Sequence, residues 1–297
     1  LKDSIVVLDE PQSLPLDWWK VVPRLVEMLT TQYDATVIAM TATQPQLFDD
    51  ATPLIDDPAV YFETASRVEY TLDRSTERYI TDQSSPKSYD TAASEVEAPI
   101  SDGESVLAVC NTIDSARALT DRVRSHSADN RFVDVAETYA DALSADGNVE
   151  SVEPASLARK IGKKDGTPIL HLSTRLRPAD RLKLIETAKE LTERSHPLLT
   201  ISTQLVEAGV DISFDRVYRD FAPIDSIVQA AGRCNRSFER DQGEVTVWWL
   251  DHPEGKDKTP AEAVYNRGTS LLPVAGSTLQ SVREQQGSLS ETAVARD

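Results

Sequence analysis

The sequence predicts an α/β protein built from open, mostly parallel sheets rather than an all-helical or all-β fold. Short β-branched apolar runs alternate with segments in which apolar residues recur at helical spacing, which is typical of strand–helix–strand units. Acidic or hydroxyl residues directly follow several of these runs. Because open α/β sheets carry their active sites at the carboxyl ends of strands, these residues are the first candidates for function.

The opening segment predicts a strand, a helix and a second strand. They are expected at residues 4–8, 22–29 and 36–40. The first strand runs into Asp9 and Glu10, and the second runs into Thr41 and Thr43. Several prolines and acids follow, so we interpret residues 1–66 as the end of a first domain with its linker.

A second domain is predicted over residues 67–250. Its strands are expected at residues 67–72, 105–110, 168–172, 198–202, 217–218 and 245–250. A helix is expected at residues 224–232. Residues 125–165 are acidic and rich in Ser and Ala, which favours an insertion, and residues 251–297 are predicted to be a polar C-terminal tail.

The charge differs from that of a simple nucleic-acid-binding protein. The 297 residues include 31 basic and 49 acidic side chains, a net charge of −18, whereas such proteins are usually basic. Either the acidity solvates the protein at high salt, as on halophilic surfaces, or the chain does not touch nucleic acid. Arginine outnumbers lysine 21 to 10 and clusters in the motifs below, which favours the halophilic interpretation.

Cysteine content and hydropathy argue against a disulfide-rich, a metal-cluster or a membrane-spanning protein. Cys110 and Cys234 alone build neither a disulfide framework nor a metal cluster, so we expect reduced thiols and a cytoplasmic location. The sequence contains no run of about 18 apolar residues, so it predicts no membrane-spanning helix. The chain starts at Leu1 with a strand-like segment, and we therefore expect its natural N-terminus upstream.

Asp9 and Glu10 form the first chemical motif. Two carboxylates at the end of a buried strand can divide the work of nucleotide hydrolysis, because one can hold Mg²⁺ while the other polarises the attacking water. An ordinary solvated loop is the alternative. Thr41 and Thr43 fit a second element of the same site, although a turn or a helix cap also explains them.

The densest motif is Gln229-Ala-Ala-Gly-Arg-Cys-Asn-Arg236. On a helix, Gln229, Arg233 and Arg236 share one face and aim an amide and two guanidinium groups at one target. Arginines bind phosphate oxygens in a bidentate way. A solvated basic helix face is the alternative, but Gly232 inside a helix costs about 1 kcal/mol and indicates the close approach of another group.

Two further polar segments follow predicted strands. In the segment from Thr203 through Gly209 to Asp211, hydroxyl and amide groups can hold a phosphate and the carboxylate can meet a ribose, although a loop with a glycine turn also fits. The other segment, residues 171–181, offers hydroxyl groups and arginines. The alternative there is a capped helix start, with Pro178 in the first turn. Its candidates are Ser173, Thr174, Arg175 and Arg177.

In chain order these segments resemble motifs II to VI of superfamily 2 helicases. The residues at 172–181, 207–215 and 229–236 are similar to the helicase part of type I CRISPR-associated helicase/nucleases. The resemblance covers about residues 1–250. It implies RecA-like domains, with residues 1–66 closing the first and residues 67–250 forming the second.

The resemblance also implies ATP and Mg²⁺ as cofactors and assigns a role to single residues. Asp9 would coordinate Mg²⁺, Glu10 would activate water, and Thr41 and Thr43 would couple hydrolysis to movement. Contacts to the nucleic acid would come from Asn111, Ser173, Thr174, Arg175, Arg177 and Thr203. Contacts to the nucleotide would come from Gly209 and Asp211 near the ribose and from Gln229, Arg233 and Arg236 at the γ-phosphate.

Members of this family unwind target DNA after recruitment by an RNA-guided surveillance complex and degrade it with a separate nuclease domain. The resemblance therefore implies single-stranded DNA, that complex and an N-terminal portion with P-loop and nuclease as partners. The sequence departs from the family because it lacks the G-x-x-x-x-G-K-[ST] loop and a His-Asp nuclease region. Another superfamily 2 motor, of restriction or repair, or a truncated fragment that only binds nucleic acid stays an alternative.

Overall fold

The computed structural model describes most of the chain and divides it into two compact units. The described residues are 1–11, 14, 16–41, 48, 51–55, 61, 66–126, 132–207, 210–266, 271–286 and 289–296. The first unit is Leu1–Ser66 with Thr292–Asp297, and the second is Arg67–Glu291. The division at residue 66 coincides with the end of the first domain that the sequence predicts.

The first unit contains a two-stranded parallel sheet. Strand β1 (Ile5–Asp9) pairs with β2 (Thr36–Met40), and Asp9 lies opposite Met40. Helix α1 (Val22–Gln32) connects them after a 3-10 turn at Leu16–Lys20, and it buries Val22 and Leu29. The connection through a helix is what a parallel pair requires, because a hairpin can join only antiparallel strands.

The second unit is an eight-stranded sheet flanked by helices. Its strands are β3 (Val68–Leu72), β4 (Ser105–Val109), β5 (Phe132–Asp134), β6 (Thr167–Leu172), β7 (Leu198–Ser202), β8 (Arg216–Asp220), β9 (Gly243–Trp248) and β10 (Leu289–Ser290). Their spatial order is β10-β3-β9-β8-β4-β7-β6-β5, and every pair is parallel except β10 with β3. An α/β fold with parallel sheets, as the sequence predicts, is therefore confirmed.

Helices connect the strands of this sheet. In chain order they are α2 (Arg74–Thr81), α3 (Tyr89–Ser101), α4 (Ile113–His126), α5 (Val135–Asp146), α6 (Pro154–Ile161), α7 (Pro178–Glu193), α8 (Ile224–Ala231), α9 (Pro260–Tyr265) and α10 (Leu271–Gln286). A last helix, α11 (Glu291–Arg296), follows β10, and all of it but Glu291 belongs to the first unit. No helix in these described stretches is long and apolar enough to cross a membrane.

The core lies around the central strand β4. All five of its residues are buried, and it reads as a continuous apolar run because helices cover both faces of a parallel sheet. Val96 of α3 and Leu119 of α4 pack in the same cluster as Ile201 and Trp248. The sequence pattern places β4 and β7 correctly because burial on both faces excludes charged residues from these two strands.

Two regions differ from the sequence expectation. Residues 125–165 are not an insertion, since in their described part β5 joins the sheet beside β6 and α5 and α6 follow it. Residues 251–291 are not a tail, since α9, α10 and the strand β10 belong to the second unit. The polar composition of both regions concealed these elements from sequence analysis. Each helix needs only one narrow stripe of apolar residues to pack against the rest of the unit, so its other residues can be polar. In α10 that stripe is Leu272, Ala275, Leu279 and Val282.

Candidate functional site

The acid pair lies at the carboxyl end of the two-stranded sheet in the first unit. Asp9 is the last residue of β1, and the Glu10 N–H donates to the Met40 carbonyl at 2.8 Å. Glu10 has a positive φ of 48°, so the chain turns sharply at this carboxylate. Such strained positions cluster at functional sites. Thr41 directly follows Met40, so the structure places it beside the acids, whereas Thr43 lies outside the described residues.

The two carboxylates fit a magnesium–nucleotide site. Asp9 is exposed and Glu10 is half-buried, so the acid at the tip is open to a ligand. Mg²⁺ keeps several water ligands and takes one or two carboxylates together with phosphate oxygens. An exposed carboxylate beside a second one at the end of a strand therefore has the chemistry to hold Mg²⁺ and to polarise an attacking water.

In the second unit, the residues that directly follow three adjacent strands lie level with one another at the carboxyl edge of the sheet. In the pairing of β4, β7 and β6, Val109 lies opposite Ser202, and Ser202 lies opposite Leu172. The next residues along the chain are therefore level with one another. They are Cys110, Thr203 and Ser173, and Asn111 follows Cys110 one residue further along the chain. Because neighbouring strands lie about 4.8 Å apart, the row spans about 10 Å.

Arg175 and Thr174 are exposed just beyond this row, while Ser173 and Thr203 are buried. The guanidinium group of Arg175 is close enough to Asp114, in the first turn of α4, to help hold its pKa below the usual range, after the larger effect of Lys256. Arg175 is thus a cation at the same sheet edge, as the sequence suggests.

Arg177 makes a local contact at the helix start that the sequence analysis gave as the alternative to a nucleic-acid contact. Its Nε and Nη2 atoms donate to the two carboxylate oxygens of Asp180 at 2.6 and 3.0 Å. The hydrogen bond from Arg177 keeps the pKa of Asp180 below its usual range. Pro178 then begins helix α7, so this segment is a helix start with proline in the first turn, although no side-chain hydrogen bond caps it. The Arg177 side chain is still 70% exposed.

Asn111 lies inside a buried polar cluster that we call the carboxyl-edge network. Its members are Asn111, Gln204, Glu207, Arg219, Asp220 and Tyr265. The Asn111 amide nitrogen donates to Asp220 at 2.8 Å and to the Phe221 carbonyl at 2.9 Å, while its oxygen accepts from Arg219 at 2.7 Å. Both polar atoms of the side chain are engaged within the protein, which departs from the expected position on a nucleic-acid path.

Arg219 is the centre of this network and is fully buried. Its guanidinium group contacts the Glu207 carboxylate at 2.9 Å, the Asp220 carbonyl at 2.6 Å and the Tyr265 hydroxyl at 3.2 Å. The Gln204 amide also reaches the Asn111 carbonyl at 3.1 Å and the Tyr265 hydroxyl at 3.4 Å. Four segments of the chain thus meet at one buried cation.

The two acids of the network are strongly perturbed. Burial raises the pKa of Glu207 to about 7, although the charge of Arg219 opposes this shift. Burial likewise raises the pKa of Asp220 to about 7, against hydrogen bonds from the backbone and the charge of Arg219. The Asp220 oxygens accept from the Leu250 N–H at 3.1 Å and from the Asn111 amide, and these donors favour its ionised form.

Arg233 connects to this network through the backbone. Its Nε and Nη2 donate to the carbonyls of Val206 and Glu207 at 3.0 and 2.9 Å. Burial, followed by the nearby charge of Arg236, lowers the pKa of Arg233. The Arg233 guanidinium group is therefore held against the loop after β7, and two of its nitrogen atoms already donate hydrogen bonds to that loop.

The prediction that Gln229, Arg233 and Arg236 share one helix face is wrong. Helix α8 ends at Ala231, and Gly232 caps it. Beyond the cap the chain pairs with Phe214, which donates to the Arg233 carbonyl and accepts from the Asn235 N–H. This pairing ends the helix. Gly232 does meet a crowded place, because a Cβ there would lie 3.2 Å from the Gln229 carbonyl.

Arg236 and Asp211 pair with each other near the amino end of β8. Arg236 Nε and Lys189 Nζ lie 2.8 and 2.9 Å from the Asp211 carboxylate. These hydrogen bonds, Lys189 first, lower the pKa of Asp211 to about 2. A polar pocket of about 470 Å³ adjoins the pair, and its wall includes His196 and Arg240. Gly209 lies outside the described residues.

Sequence reasoning missed Arg219, Asp220 and Tyr265. The Arg-Asp pair at the end of β8 was a signal for the first two, because charges inside a parallel sheet need buried partners. Tyr265 gave no signal, since it lies in the part expected to be a tail.

The parallel sheet flanked by helices defines a RecA-like fold. Solved structures of Cas3 from T. fusca share this fold, with TM-scores of 0.59 and, for the form titled Cas3-ATP, 0.61. Both matches cover 99% of this chain and 35% of the T. fusca chain, at 14% and 16% identity.

The particular family follows from sequence comparison. Residues 148–239 match the family model of "CRISPR-associated nuclease/helicase Cas3, C-terminal", so the chain carries a Cas3-like C-terminal domain. The Cas3 nuclease/helicase of Haloferax volcanii is 40% identical over 91% of this chain, and that of Methanothermobacter thermautotrophicus is 33% identical over 28%. The resemblance seen in the motifs is confirmed. The chain spans 35% of the length of the Haloferax relative.

Proposed function

We propose that the chain is the C-terminal motor portion of an ATP-dependent helicase that unwinds target DNA in type I CRISPR interference. The observation that carries the proposal is the register of β4, β7 and β6, which puts segments of three helicase motifs side by side. Loops at the carboxyl ends of parallel strands are where open α/β sheets bind ligands. The relatives, at 40% and 33% identity, are nuclease/helicases.

In this proposal Ser173, Thr174 and Thr203 contact single-stranded DNA. Arg175 is exposed at this edge and neutralises a phosphate, and Arg177 contributes only by leaving Asp180. Asn111 acts by holding the edge in shape, since its side chain is engaged within the carboxyl-edge network.

ATP and Mg²⁺ are the proposed cofactors. Asp9 would hold Mg²⁺ and Glu10 would orient the attacking water, with Thr41 and Thr43 coupling the site to movement. The γ-phosphate would be met by Gln229, Arg233 and Arg236, and the ribose side by Gly209 and Asp211. The bound nucleotide would supply the phosphoryl group, and these residues would position it and neutralise its charge.

The proposed partners are an RNA-guided surveillance complex and an N-terminal portion that carries a P-loop and a nuclease. Ile5 is 71% exposed and Val7 is 53% exposed on β1, although residues of such parallel strands are ordinarily buried. This apolar surface supports pairing with more sheet from the P-loop portion. Two buried free thiols, Cys110 and Cys234, suit a motor that acts in the reducing cytoplasm.

The test uses the full-length gene product. We expect ATP hydrolysis that rises with single-stranded DNA, and unwinding of a target duplex that depends on the surveillance complex. Glu10→Gln should abolish hydrolysis while DNA binding persists. Unwinding that ignores the surveillance complex would indicate a restriction or repair motor. Binding without any hydrolysis would indicate a fragment that does not catalyse.

A further inference from the structure

The loop after β7 is held from two sides by two different arginines. On one side Arg219 contacts the side chain of Glu207 at 2.9 Å. On the other side Arg233 donates to the carbonyls of Val206 and Glu207. The loop begins at Thr203, which lies in the row of residues that follow β4, β7 and β6. One short segment therefore joins the proposed DNA edge to an arginine proposed for the γ-phosphate.

Burial of Arg219 is difficult to explain by stability alone. The guanidinium group is fully buried, and its Nε has no hydrogen-bond partner among the residues that the structure describes. Replacing a buried ion pair by apolar residues of similar volume is often neutral or stabilising. A buried cation that is paired through Nη1 and Nη2 but leaves Nε without a partner suggests a role in holding a geometry.

The surroundings of Arg219 show what geometry it holds. Gln204, at the start of the loop, and Arg219 both donate to the Tyr265 hydroxyl, so the far helix α9 closes the network. Asn111 fixes the guanidinium group from the β4 side at 2.7 Å. Loss of Arg219 would free the Glu207 side chain and with it the carbonyls that orient Arg233.

We infer that Arg219 is a positioning residue that links DNA occupancy at Thr203 to the orientation of Arg233, through Glu207. This inference rests on the proposed function. The class of regulation is stimulation of ATP hydrolysis by single-stranded DNA. Displacements of about 1 Å from groups outside the reacting atoms can cost about 10²-fold in rate. Arg219 therefore sets the turnover that DNA stimulates, whereas it does not contact ATP or DNA.

The test replaces Arg219 by Leu in the full-length protein and measures ATP turnover with and without saturating single-stranded DNA. We expect DNA-stimulated kcat to fall at least tenfold, with KM for ATP and the Kd for DNA within about threefold of wild type. The matched control is Arg216→Gln on the same strand. Arg216 is the first residue of β8, at the opposite end from Arg219, and it pairs with Glu104 and Glu244, so stimulation in this variant should equal wild type.

A second, smaller substitution keeps the inference testable if the Arg219→Leu protein does not fold. Tyr265→Phe removes one hydroxyl that accepts from both Gln204 and Arg219 and should lower the stimulated kcat about threefold without changing KM. Wild-type stimulation in Tyr265→Phe, or in a folded Arg219→Leu protein, overturns the inference. Equal loss in Arg216→Gln overturns it as well, because the effect would then follow general damage to β8.

A second readout separates this inference from the proposed function. The Glu207 N–H donates to the Gln204 carbonyl at 3.0 Å, so its hydrogen exchange reports the order of the loop. We expect faster exchange there in Arg219→Leu and not in Arg216→Gln. If wild type hydrolyses no ATP with DNA, the proposed function fails while this readout still tests the positioning. Unchanged exchange at Glu207 overturns the positioning itself.

Discussion

Replacing Arg233 by Ala in the full-length protein should abolish most ATP turnover while DNA binding persists. Arg233 uses Nε and Nη2 on the carbonyls of Val206 and Glu207, and this leaves Nη1 and the remaining Nη2 hydrogen for a phosphate. An arginine at the transferred phosphate is worth about 10³–10⁵ in turnover. The lower figure corresponds to about 4 kcal/mol of transition-state stabilisation.

The geometry also predicts that Lys cannot replace Arg233. A lysine ammonium is a single point charge, so it cannot reach two backbone carbonyls and a phosphate from one rigid plane. Arg233→Lys should therefore recover less than a tenth of wild-type kcat. Removal of the guanidinium group also leaves two carbonyls without their charged donor, so we expect a loss of about 1–3 kcal/mol in the free energy of unfolding.

The assay is steady-state ATP hydrolysis with saturating single-stranded DNA, together with fluorescence anisotropy for DNA affinity. Arg236→Ala should behave like Arg233→Ala. The control is Arg175→Ala, which should weaken DNA binding and reduce its salt dependence by about one phosphate contact. Near-normal turnover combined with lost DNA affinity in both Arg233→Ala and Arg236→Ala would show that this segment faces the nucleic acid, and the assignment to ATP would be wrong.

Three further outcomes are expected. The purified 297-residue chain should not hydrolyse ATP, because its sequence lacks the P-loop lysine and phosphate-binding amides; DNA-stimulated turnover by this chain would contradict that. Its melting temperature should rise between low and molar salt, since a net charge of −18 is screened within about 3 Å at 1 M; equal melting in circular dichroism at both salts would reject the halophilic interpretation. The Asp211 carboxylate should titrate near pH 2 by NMR and shift upward in Arg236→Ala, though not fully, because Lys189 remains. Folding lowers this pKa, so the contacts stabilise the fold above the unfolded-state value of about 3.9 and are lost as the pH falls toward 2; an unchanged pKa in Arg236→Ala would refute the pairing.

The positions of the strands could be predicted from the sequence because each strand reports its own burial. Residues 198–202 were expected as a strand and form one with those bounds, and every residue of it is buried. Residues 36–40 also form a strand with the expected bounds, although none of them is buried. A strand of a parallel sheet is covered on both faces, so a run of β-branched and aliphatic residues is a local signature of its surroundings. The order of the motifs is likewise a property of the sequence, and the comparisons confirm the resemblance to Cas3 that it indicated.

Partners of charged side chains could not be predicted in the same way. Asn111 meets Asp220 across 109 residues of sequence, and Arg236 meets Asp211 across 25. Only the strand order β8-β4-β7 decides that the ends of these strands are neighbours. The roles assigned to single site residues therefore stay predictions, and the network around Arg219 was invisible to spacing rules.

The sequence by itself thus determined the central strands β4 and β7 and the polar residues that follow them, because both are local properties of a few consecutive residues. Tertiary structure alone decided that helix α8 stops at Ala231, since the competing partner is Phe214 in another segment. It also decided that α10 packs into the second unit, since a narrow stripe such as Leu272 and Leu279 gains its burial only when a surface is present to receive it. Long-range contacts of this kind settle where each arginine points.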